Sequence, residues 1–175
     1  MAYFKSRGLR GSLLEEMINM TNDKYREKKL ALVQKIPTPI KPVEIDGNRH
    51  ITLAYFEQKS TVDYIGAIQG IPVCFDAKEL SQKTFALQNV HEHQIEFMKE
   101  FEDMGGVSFL IVYFKEYSES YYLPFQELMF FWNRAQNGGR KSIRYDEFKK
   151  EWMISEYNGV PVHYLEMLNK DLANR

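Results

Sequence analysis

The sequence predicts a single α/β domain over residues 1–175. The chain is 44% hydrophobic, enough for one substantial core, and shows no internal repeat or low-complexity segment. Apolar patterns of period 2 and of period 3.6 both occur along it, so strands and helices are both expected. The one cysteine, Cys74, cannot form an internal disulfide and indicates a reducing, cytoplasmic location. No apolar run reaches the roughly 20 residues that span a bilayer, so no membrane association is expected.

The first predicted elements are a helix and a short strand. Ser12, with Glu15 three residues later, matches the capping box that begins many helices. An inward stripe of period 3.6 extends this helix to about residue 27. The residues of the stripe are Leu14, Met17, Ile18, Thr21 and Tyr25. Residues 30–33 are apolar and predict a short buried strand.

A hairpin that projects from the core is predicted over residues 37–55. Three prolines within residues 37–42 remove backbone donors and interrupt regular sheet pairing. Asp46-Gly47 is a strong turn signal, and residues 51–56 return as a strand. We therefore expect two strands joined by a tight tip.

A second hairpin is predicted over residues 61–79. This stretch is rich in apolar, β-branched and aromatic residues, and Gln69-Gly70 lies in its middle. Glycine at the second position suits a two-residue type I′ loop, although glutamine is not favoured at the first. With this loop, cross-strand partners have residue numbers that sum to 139.

This register brings four polar side chains together. Asp63 is expected to face Asp76, and Thr61 to face Lys78. Facing Cβ atoms lie about 5 Å apart, and like charges at that distance are destabilising unless a cation lies between them. The arrangement also fits the pattern D…(D/E)-x-K. Phosphodiester hydrolysis uses such a grouping, in which carboxylates hold Mg²⁺ and a lysine offsets developing charge.

The spacing alone leaves a simpler interpretation open. Acids and lysines are common on solvated hairpin faces, and a single D…(D/E)-x-K match arises by chance in many proteins. Other segments have to decide between a solvated face and a metal site.

The following helix supplies another candidate. It is predicted over residues 87–104, ends at Gly105-Gly106, and has an inward stripe that contains Gln94. The apolar members of the stripe are Val90, Phe97, Met98, Phe101 and Met104. An amide side chain on an inward face needs a hydrogen-bond partner. If the helix packs behind the hairpin, that partner is the metal or its bound water; otherwise it is the backbone. His91 and His93 are expected to diverge on the helix and not to form a zinc site, since no third ligand follows at suitable spacing.

The carboxy-terminal half predicts two strands and three helices. Residues 107–113 have the composition of a central strand, and residues 120–123 that of a shorter one. Helical patterns occupy residues 124–136, 145–152 and 162–172.

Charge is unevenly distributed along the chain. The net charge is −1, but residues 1–41 carry about +5 and the remainder about −6. Residues 1–11, which contain Gly, Ser and Arg, are expected to form a mobile basic arm. Local positive charge permits DNA binding, although a solvated helix face would have the same composition.

Nine short segments together resemble one family. They are Arg7-Gly8, Leu14-Glu15-Glu16, Thr21-Asn22, Ile-Pro-Thr-Pro at 36–39, Ala54-Tyr55-Phe56, Ser-Thr-Val-Asp-Tyr at 60–64, Phe-Asp-Ala-Lys-Glu at 75–79, Leu-Gln-Asn-Val-His-Glu-His-Gln at 87–94 and Asn-Gly-Gly-Arg-Lys-Ser-Ile-Arg at 137–144. In this order, over nearly the whole chain, they resemble the RecU Holliday-junction resolvases. One such match would be weak, but the ordered set is specific.

The resemblance implies a PD-(D/E)xK, restriction-endonuclease-like fold: a mixed central β-sheet flanked by helices, with the hairpin at 37–55 projecting as a stalk. It implies a homodimer that cleaves four-way (Holliday) DNA junctions by paired, symmetric phosphodiester hydrolysis in recombination and repair. The implied cofactor is Mg²⁺, with Mn²⁺ as a substitute. The family also contacts the RecA recombinase, so RecA is an implied partner.

The resemblance also assigns roles to individual residues. The Mg²⁺-binding positions of the family are matched by Thr61, Asp63, Asp76 and Gln94. The lysine that stabilises the transition state is matched by Lys78. The resemblance thus implies that Asp63, Asp76 and Lys78 are the catalytic residues. The aspartate at 76 stands where the family usually has glutamate, so the carboxylate is retracted by one methylene.

The stalk and two basic regions supply the candidate DNA contacts. These are Arg7, Arg10, Lys41, Arg49, Phe56, Arg140, Lys141 and Arg144. The resemblance implies that the stalk enters the open centre of a junction. This stalk is shorter than is usual in the family. It is also less basic, because Glu44 and Asp46 offset its cations.

Two alternative functions stay open on the sequence. One is a non-catalytic protein that binds junctions or modulates RecA, against which the intact Asp63, Asp76 and Lys78 argue. The other is a different PD-(D/E)xK nuclease that acts on duplex DNA, which would share the four polar side chains but not the stalk.

Overall fold

The computed structural model describes residues 12–56 and 61–175, and in them ten strands and four α-helices follow one another along the chain. In chain order they are α1 Leu13–Glu27, β1 Ala31–Lys35, β2 Ile40–Ile45, β3 Ile51–Phe56, β4 Tyr64–Ile68, β5 Ile71–Leu80, β6 Thr84–Ala86, α2 Glu92–Asp103, β7 Val107–Phe114, β8 Glu119–Pro124, α3 Phe125–Gln136, β9 Ser142–Arg144, β10 Met153–Ile154 and α4 Leu165–Ala173. The predicted basic arm at 1–11 lies outside the described residues.

A six-stranded mixed sheet forms the centre of the molecule. Its strand order is β1-β4-β5-β7-β8-β10, in which β5 and β7 are parallel and the other neighbours antiparallel. Every residue of β7 is buried, as expected for a central strand covered on both faces. The predicted α/β architecture with a mixed sheet flanked by helices is confirmed.

The two faces of the sheet bury separate cores. Val73 and Phe75 of β5 pack towards α1 and α4, whereas Cys74 and Leu80 pack towards α2 and α3. Strand alternation explains this division, since successive side chains point to opposite faces. Phe75 is stacked between Tyr64 and Phe109, with ring centroids 4.8 and 4.7 Å away. This aromatic row contributes to the core on the α1 side.

Helix α1 begins where the sequence predicts. The hydroxyl of Ser12 accepts from the backbone N–H of Glu15, and the Glu15 carboxylate accepts from the N–H of Ser12, both at 3.2 Å. The predicted capping box is therefore confirmed. The inward stripe is buried too, apart from the half-buried Met17.

The predicted projecting hairpin is confirmed as a separate two-stranded sheet of β2 and β3. The stalk, predicted over residues 37–55, consists in the structure of Ile40–Phe56, and the name is used for these residues below. Neither strand contains a buried residue. At the tip, the Asp46 carboxylate accepts from the backbone N–H groups of Asn48 and His50, both at 2.8 Å. Within this turn Arg49 has a positive φ, of 66°, and Gly47 does not.

The amino-terminal strand differs from its prediction. Strand β1 lies at the edge of the sheet, and Ala31 is its one buried residue. Leu32 is 61% exposed. The expectation of a buried strand was wrong because an apolar run does not reveal whether a strand has one neighbour or two.

Three predicted helices differ in their bounds or type. The helix predicted from residue 87 begins at Glu92, after a 3₁₀ turn over Leu87–Asn89. Residues 145–152 form two 3₁₀ turns instead of a helix. Helix α4 begins at Leu165. None of the described helices is long and apolar enough to cross a membrane.

Candidate active site

The β4–β5 hairpin has the predicted register. Pairs run from Tyr64 with Phe75 to Ile68 with Ile71, and their numbers sum to 139. The loop residues Gln69 and Gly70 both have positive φ, of 49° and 89°. A type I′ turn requires positive φ at both central positions, so the turn chemistry agrees with the prediction.

Asp63 and Asp76 lie side by side, and the carboxylate of each accepts a hydrogen bond from a backbone N–H of the other strand segment. The backbone N–H of Asp63 donates to Oδ1 of Asp76 at 3.1 Å, and the N–H of Ala77 donates to Oδ2 of Asp63 at 3.0 Å. These bonds lie just beyond the last regular pair of the hairpin, Tyr64 with Phe75. The sequence prediction that the two carboxyl groups face each other is confirmed.

Two further side chains converge on Asp76, which is completely buried. The Lys78 ammonium forms an ion pair with its Oδ2. The amide Nε2 of Gln94 donates to the same oxygen at 3.1 Å. Gln94 is itself buried, and its Oε1 accepts from the backbone N–H of His91 at 3.1 Å. The inward amide that the sequence left without a partner thus connects α2 to the acid pair.

The electrostatics of the pair favour a bound cation. Burial, then the hydrogen bond to Asp76 and the charge of Asp76, together raise the pKa of Asp63 from its ordinary value of 3.8 to about 7. Lys78 is the one basic side chain ion-paired with either acid in the described part of the chain. A second positive charge between the carboxylates would remove their repulsion.

The carboxylate oxygens of Asp63 and Asp76 are ligands of the kind that Mg²⁺ uses. Mg²⁺ is commonly held by one or two carboxylates and completes its shell with water and substrate phosphate oxygens. Asp63 and Asp76 supply such a pair. Within residues 12–56 and 61–175 no group of three or more His, Cys, Asp or Glu side chains is placed to bind a metal. The residues present therefore fit a hard, partly hydrated cation.

Thr61 is not brought into the cluster by strand pairing. The regular pairs end at Tyr64, so no pair places Thr61 opposite Lys78. Val62 packs in the core on the α2 side, whereas strict alternation from Tyr64 would place it on the α1 side. The chain therefore departs from strand geometry before Asp63, and a metal-binding role for Thr61 stays a prediction.

The two histidines before Gln94 are closer than expected. The rings of His91 and His93 are stacked, with centroids 5.4 Å apart and planes inclined by 11°. The expectation that they diverge was wrong, because His91 is the N-cap and lies outside the helix. The spacing of Gln94 three residues after His91, a capping-box spacing, was the available signal.

The candidate DNA contacts of the stalk are exposed. Lys41 and Arg49 have no acidic partner among the described residues, and Phe56 is 74% exposed. The other two candidates in the amino-terminal half, Arg7 and Arg10, lie outside the described residues.

The second basic region is more constrained. Arg140 pairs with Glu147 at 3.1 Å, and Arg144 pairs with Asp146 at 2.9 Å. Lys141 is exposed and has no ion pair in the described part of the chain. Lys141 is therefore the cation of this group that is most available to a phosphate.

Comparison with known sequences decides the family. The sequence model of the family described as "RecU: Recombination protein U" matches residues 9–170. The chain belongs to the RecU family. A "Holliday junction resolvase RecU" of Oceanobacillus iheyensis is 41% identical over 160 residues, 89% of this chain and 79% of the relative. Another, of Pediococcus pentosaceus, is 39% identical over 173 residues, 95% of this chain and 86% of the relative.

Among solved structures, Archaeoglobus fulgidus Hjc, a Holliday junction resolvase, aligns with 63% of this chain and 74% of its own. The TM-score is 0.37 and the sequence identity 10%, which is too partial an agreement to bear on the fold. The RecU family membership therefore rests on sequence.

Proposed function

We propose that this protein is a Mg²⁺-dependent endonuclease that cleaves four-way DNA junctions by paired hydrolysis of two phosphodiester bonds. One observation carries the proposal: four side chains, from the residue before β4, from β5 and from α2, converge in one partly buried cluster. They are Asp63, Asp76, Lys78 and Gln94. The RecU relatives, whose names include "Holliday junction resolvase", support the choice of substrate.

The proposed chemistry assigns a task to each side chain. Asp63 and Asp76 would hold Mg²⁺, which when bound activates water and polarises the scissile phosphate. Lys78 lies beside Asp76, where its ammonium group can offset charge that develops on phosphoryl oxygens or orient the attacking water. Gln94 fixes the orientation of Asp76 through a neutral amide and therefore adds no charge. Thr61 remains a further proposed ligand, and Mn²⁺ a proposed substitute.

We also propose that the protein works as a homodimer in the cytoplasm. A four-way junction has two symmetric scissile bonds, which a two-fold dimer would match. The stalk supports this proposal because it exposes several large apolar side chains that an assembly or DNA would cover. These side chains are Ile40, Val43, Ile45, Ile51, Leu53, Tyr55 and Phe56. A contact with RecA is proposed for the basic region at 1–11.

The mechanism predicts that Asp63→Asn and Lys78→Ala each lower the rate of junction cleavage roughly 100-fold or more, because each removes a group that holds the ion or offsets charge. Binding of the junction should largely survive, since most of its affinity comes from phosphate contacts elsewhere. Cleavage rates on a labelled synthetic junction with Mg²⁺, and binding without it, give the two measurements.

The matched controls are Asp103→Asn and Lys99→Ala, which change exposed side chains of α2 by the same chemistry. Both should cleave at the rate of the unsubstituted protein. Full cleavage by Asp63→Asn would remove the proposed mechanism.

A further inference from the structure

We propose that a cavity between α3 and the turn before α2 binds one unstacked nucleotide of the DNA substrate. The inference rests on the proposed function, because it takes DNA as the ligand, and it adds a site distinct from the acid pair. The cavity has a volume of about 500 Å³. That volume lies within the range of small-molecule pockets.

The chemistry of the lining matches a nucleotide. The half-buried Trp132 offers an aromatic face on which a base can stack. Gln88 and Gln136 each have an amide group, which can both donate hydrogen bonds to a base edge and accept them from it. Lys141 supplies a cation for the phosphate, and no described residue of the lining is a carboxylate. An anionic ligand with a flat ring is favoured over an acidic peptide, which would leave the aromatic face unused.

The wall that carries Lys141 is held in place. The backbone N–H of Leu87 donates to the carbonyl of Lys141 at 3.1 Å, and the N–H of Gly139 donates to the carbonyl of Arg134 at 2.9 Å. A Cβ on Gly139 would lie 2.7 Å from that same carbonyl oxygen, so only glycine fits at this position of the loop. A pre-formed wall reduces the entropy lost when a ligand binds.

The cavity lies on the face of the sheet that carries the acid pair. Helices α2 and α3 both pack on the core that contains Cys74, two residues before Asp76 on the same face of β5. Gln88 precedes Gln94 by six residues, which cannot span more than about 20 Å. The cavity and the acid pair therefore lie on the same face of the sheet, close enough for one DNA strand to reach both. In the open form of a four-way junction, the base pairs at the centre lack a stacking neighbour on one side, which lowers the free-energy cost of extruding a base.

Tryptophan fluorescence tests the site without relying on cleavage. The chain has two tryptophans, so Trp152→Phe leaves Trp132 as the reporter. Titration with a metal-free synthetic four-way junction, and with a single-stranded oligonucleotide, should quench the emission of Trp132. In the same background, Lys141→Ala should shift the titration to higher DNA concentration. Unchanged emission, while fluorescence anisotropy of labelled DNA shows that the complex forms, would overturn the proposal.

Substitutions supply a second test. Trp132→Ala should weaken binding of the junction roughly 5- to 150-fold, the loss expected for one base–aromatic stack, and Trp132→Phe should restore most of it. Phe130→Ala is the matched control, because Phe130 is on the same helix, is 67% exposed and does not line the cavity. An equal loss in Phe130→Ala, or no loss in Trp132→Ala, would contradict a nucleotide site at Trp132.

Should Trp132→Ala fail to fold, Gln136→Ala changes an exposed side chain of the same cavity and should still weaken the binding. Failure of the proposed function is visible separately as absence of junction cleavage by the unsubstituted protein. Quenching of Trp132 by single-stranded DNA would support the nucleotide site even then.

Discussion

Asp76 is the residue on which the candidate active site converges. It is fully buried, accepts hydrogen bonds from the backbone of Asp63 and from Gln94, and forms an ion pair with Lys78. A buried carboxylate costs several kcal/mol unless such partners compensate it. The shorter side chain of aspartate at this position is therefore matched by partners that reach it from the residue before β4, from β5 and from α2.

Gln94→Ala should reduce both cleavage and stability. It removes the hydrogen bond to Asp76 and the bond to the N–H of His91, so the free energy of unfolding should fall by about 1–3 kcal/mol. Urea unfolding and cleavage rates check the two effects. Gln126→Ala, on the exposed start of α3, is the control and should change neither. Normal cleavage by Gln94→Ala would show that Asp76 needs no orienting amide.

A second charged cluster predicts a dependence of stability on pH. Burial raises the pKa of Glu119, but hydrogen bonds from Lys150, Tyr121 and Tyr145 outweigh it and hold the pKa at about 2. Because the usual value for glutamate is about 4.3, the stabilisation is present above pH 4.3 and is lost as the pH falls towards 2. Glu119→Gln should lower the free energy of unfolding at pH 7 by about 1–3 kcal/mol and flatten its decline between pH 4.3 and 2.

Urea unfolding between pH 2 and pH 7 measures this effect. The control is Glu116→Gln, which removes an exposed ion pair with Lys83 and should change stability by less than about 1 kcal/mol. Identical pH profiles for Glu119→Gln and the unsubstituted protein would contradict the assignment.

At the scale of elements, the β4–β5 hairpin determines the site because its turn sets the register. Gly70 and the apolar strands on either side were enough to predict that Asp63 faces Asp76. A shift of one residue would move Asp76 to the other face of the sheet, among the aromatic side chains of the α1 side.

Gln69→Asn should stabilise this hairpin. Gln69 has a φ of 49°, a conformation that asparagine tolerates better than other residues with a Cβ. The free energy of unfolding should rise by about 0.5–1 kcal/mol. Thermal or urea unfolding measures the change, and Gln69→Ala is the control that should give no gain. Destabilisation by Gln69→Asn would indicate that the Gln69 side chain makes a contact that matters more than its backbone conformation.

Local patterns predicted less well where tertiary contacts decide the structure. Residues 145–152 have a helical pattern but form 3₁₀ turns, since Tyr145 and Lys150 both bond to Glu119 of β8. Met104 was expected to face inward but is 85% exposed, because it lies after the last residue of α2. The bend at Thr61 has no signal in strand periodicity. These positions depend on neighbours that are distant in sequence.

At the scale of the whole molecule, one face of the sheet carries the aromatic core and the other carries the candidate active site. The core on the α1 side, with its aromatic row, contributes to stability, whereas the α2 side carries the acid pair, Gln94 and the cavity at Trp132. The stalk is a separate small sheet with exposed side chains on both strands. The family motifs predicted the positions of the acid pair, of Gln94 and of the stalk, because a separate motif contains each of these parts. Whether β1 is central or at an edge could not be predicted, since that depends on the packing order of strands.

The most direct test of the central claim is a cleavage assay of the unsubstituted protein on three labelled DNAs: a synthetic four-way junction, the matching duplex and a single strand. With Mg²⁺, we expect paired symmetric cuts in the junction, little or no cutting of the other two, and no cutting after chelation of the metal. Equal cutting of duplex and junction would contradict junction specificity. Tight binding of the junction without any cleavage would contradict the assignment of Asp63, Asp76 and Lys78 as an active site.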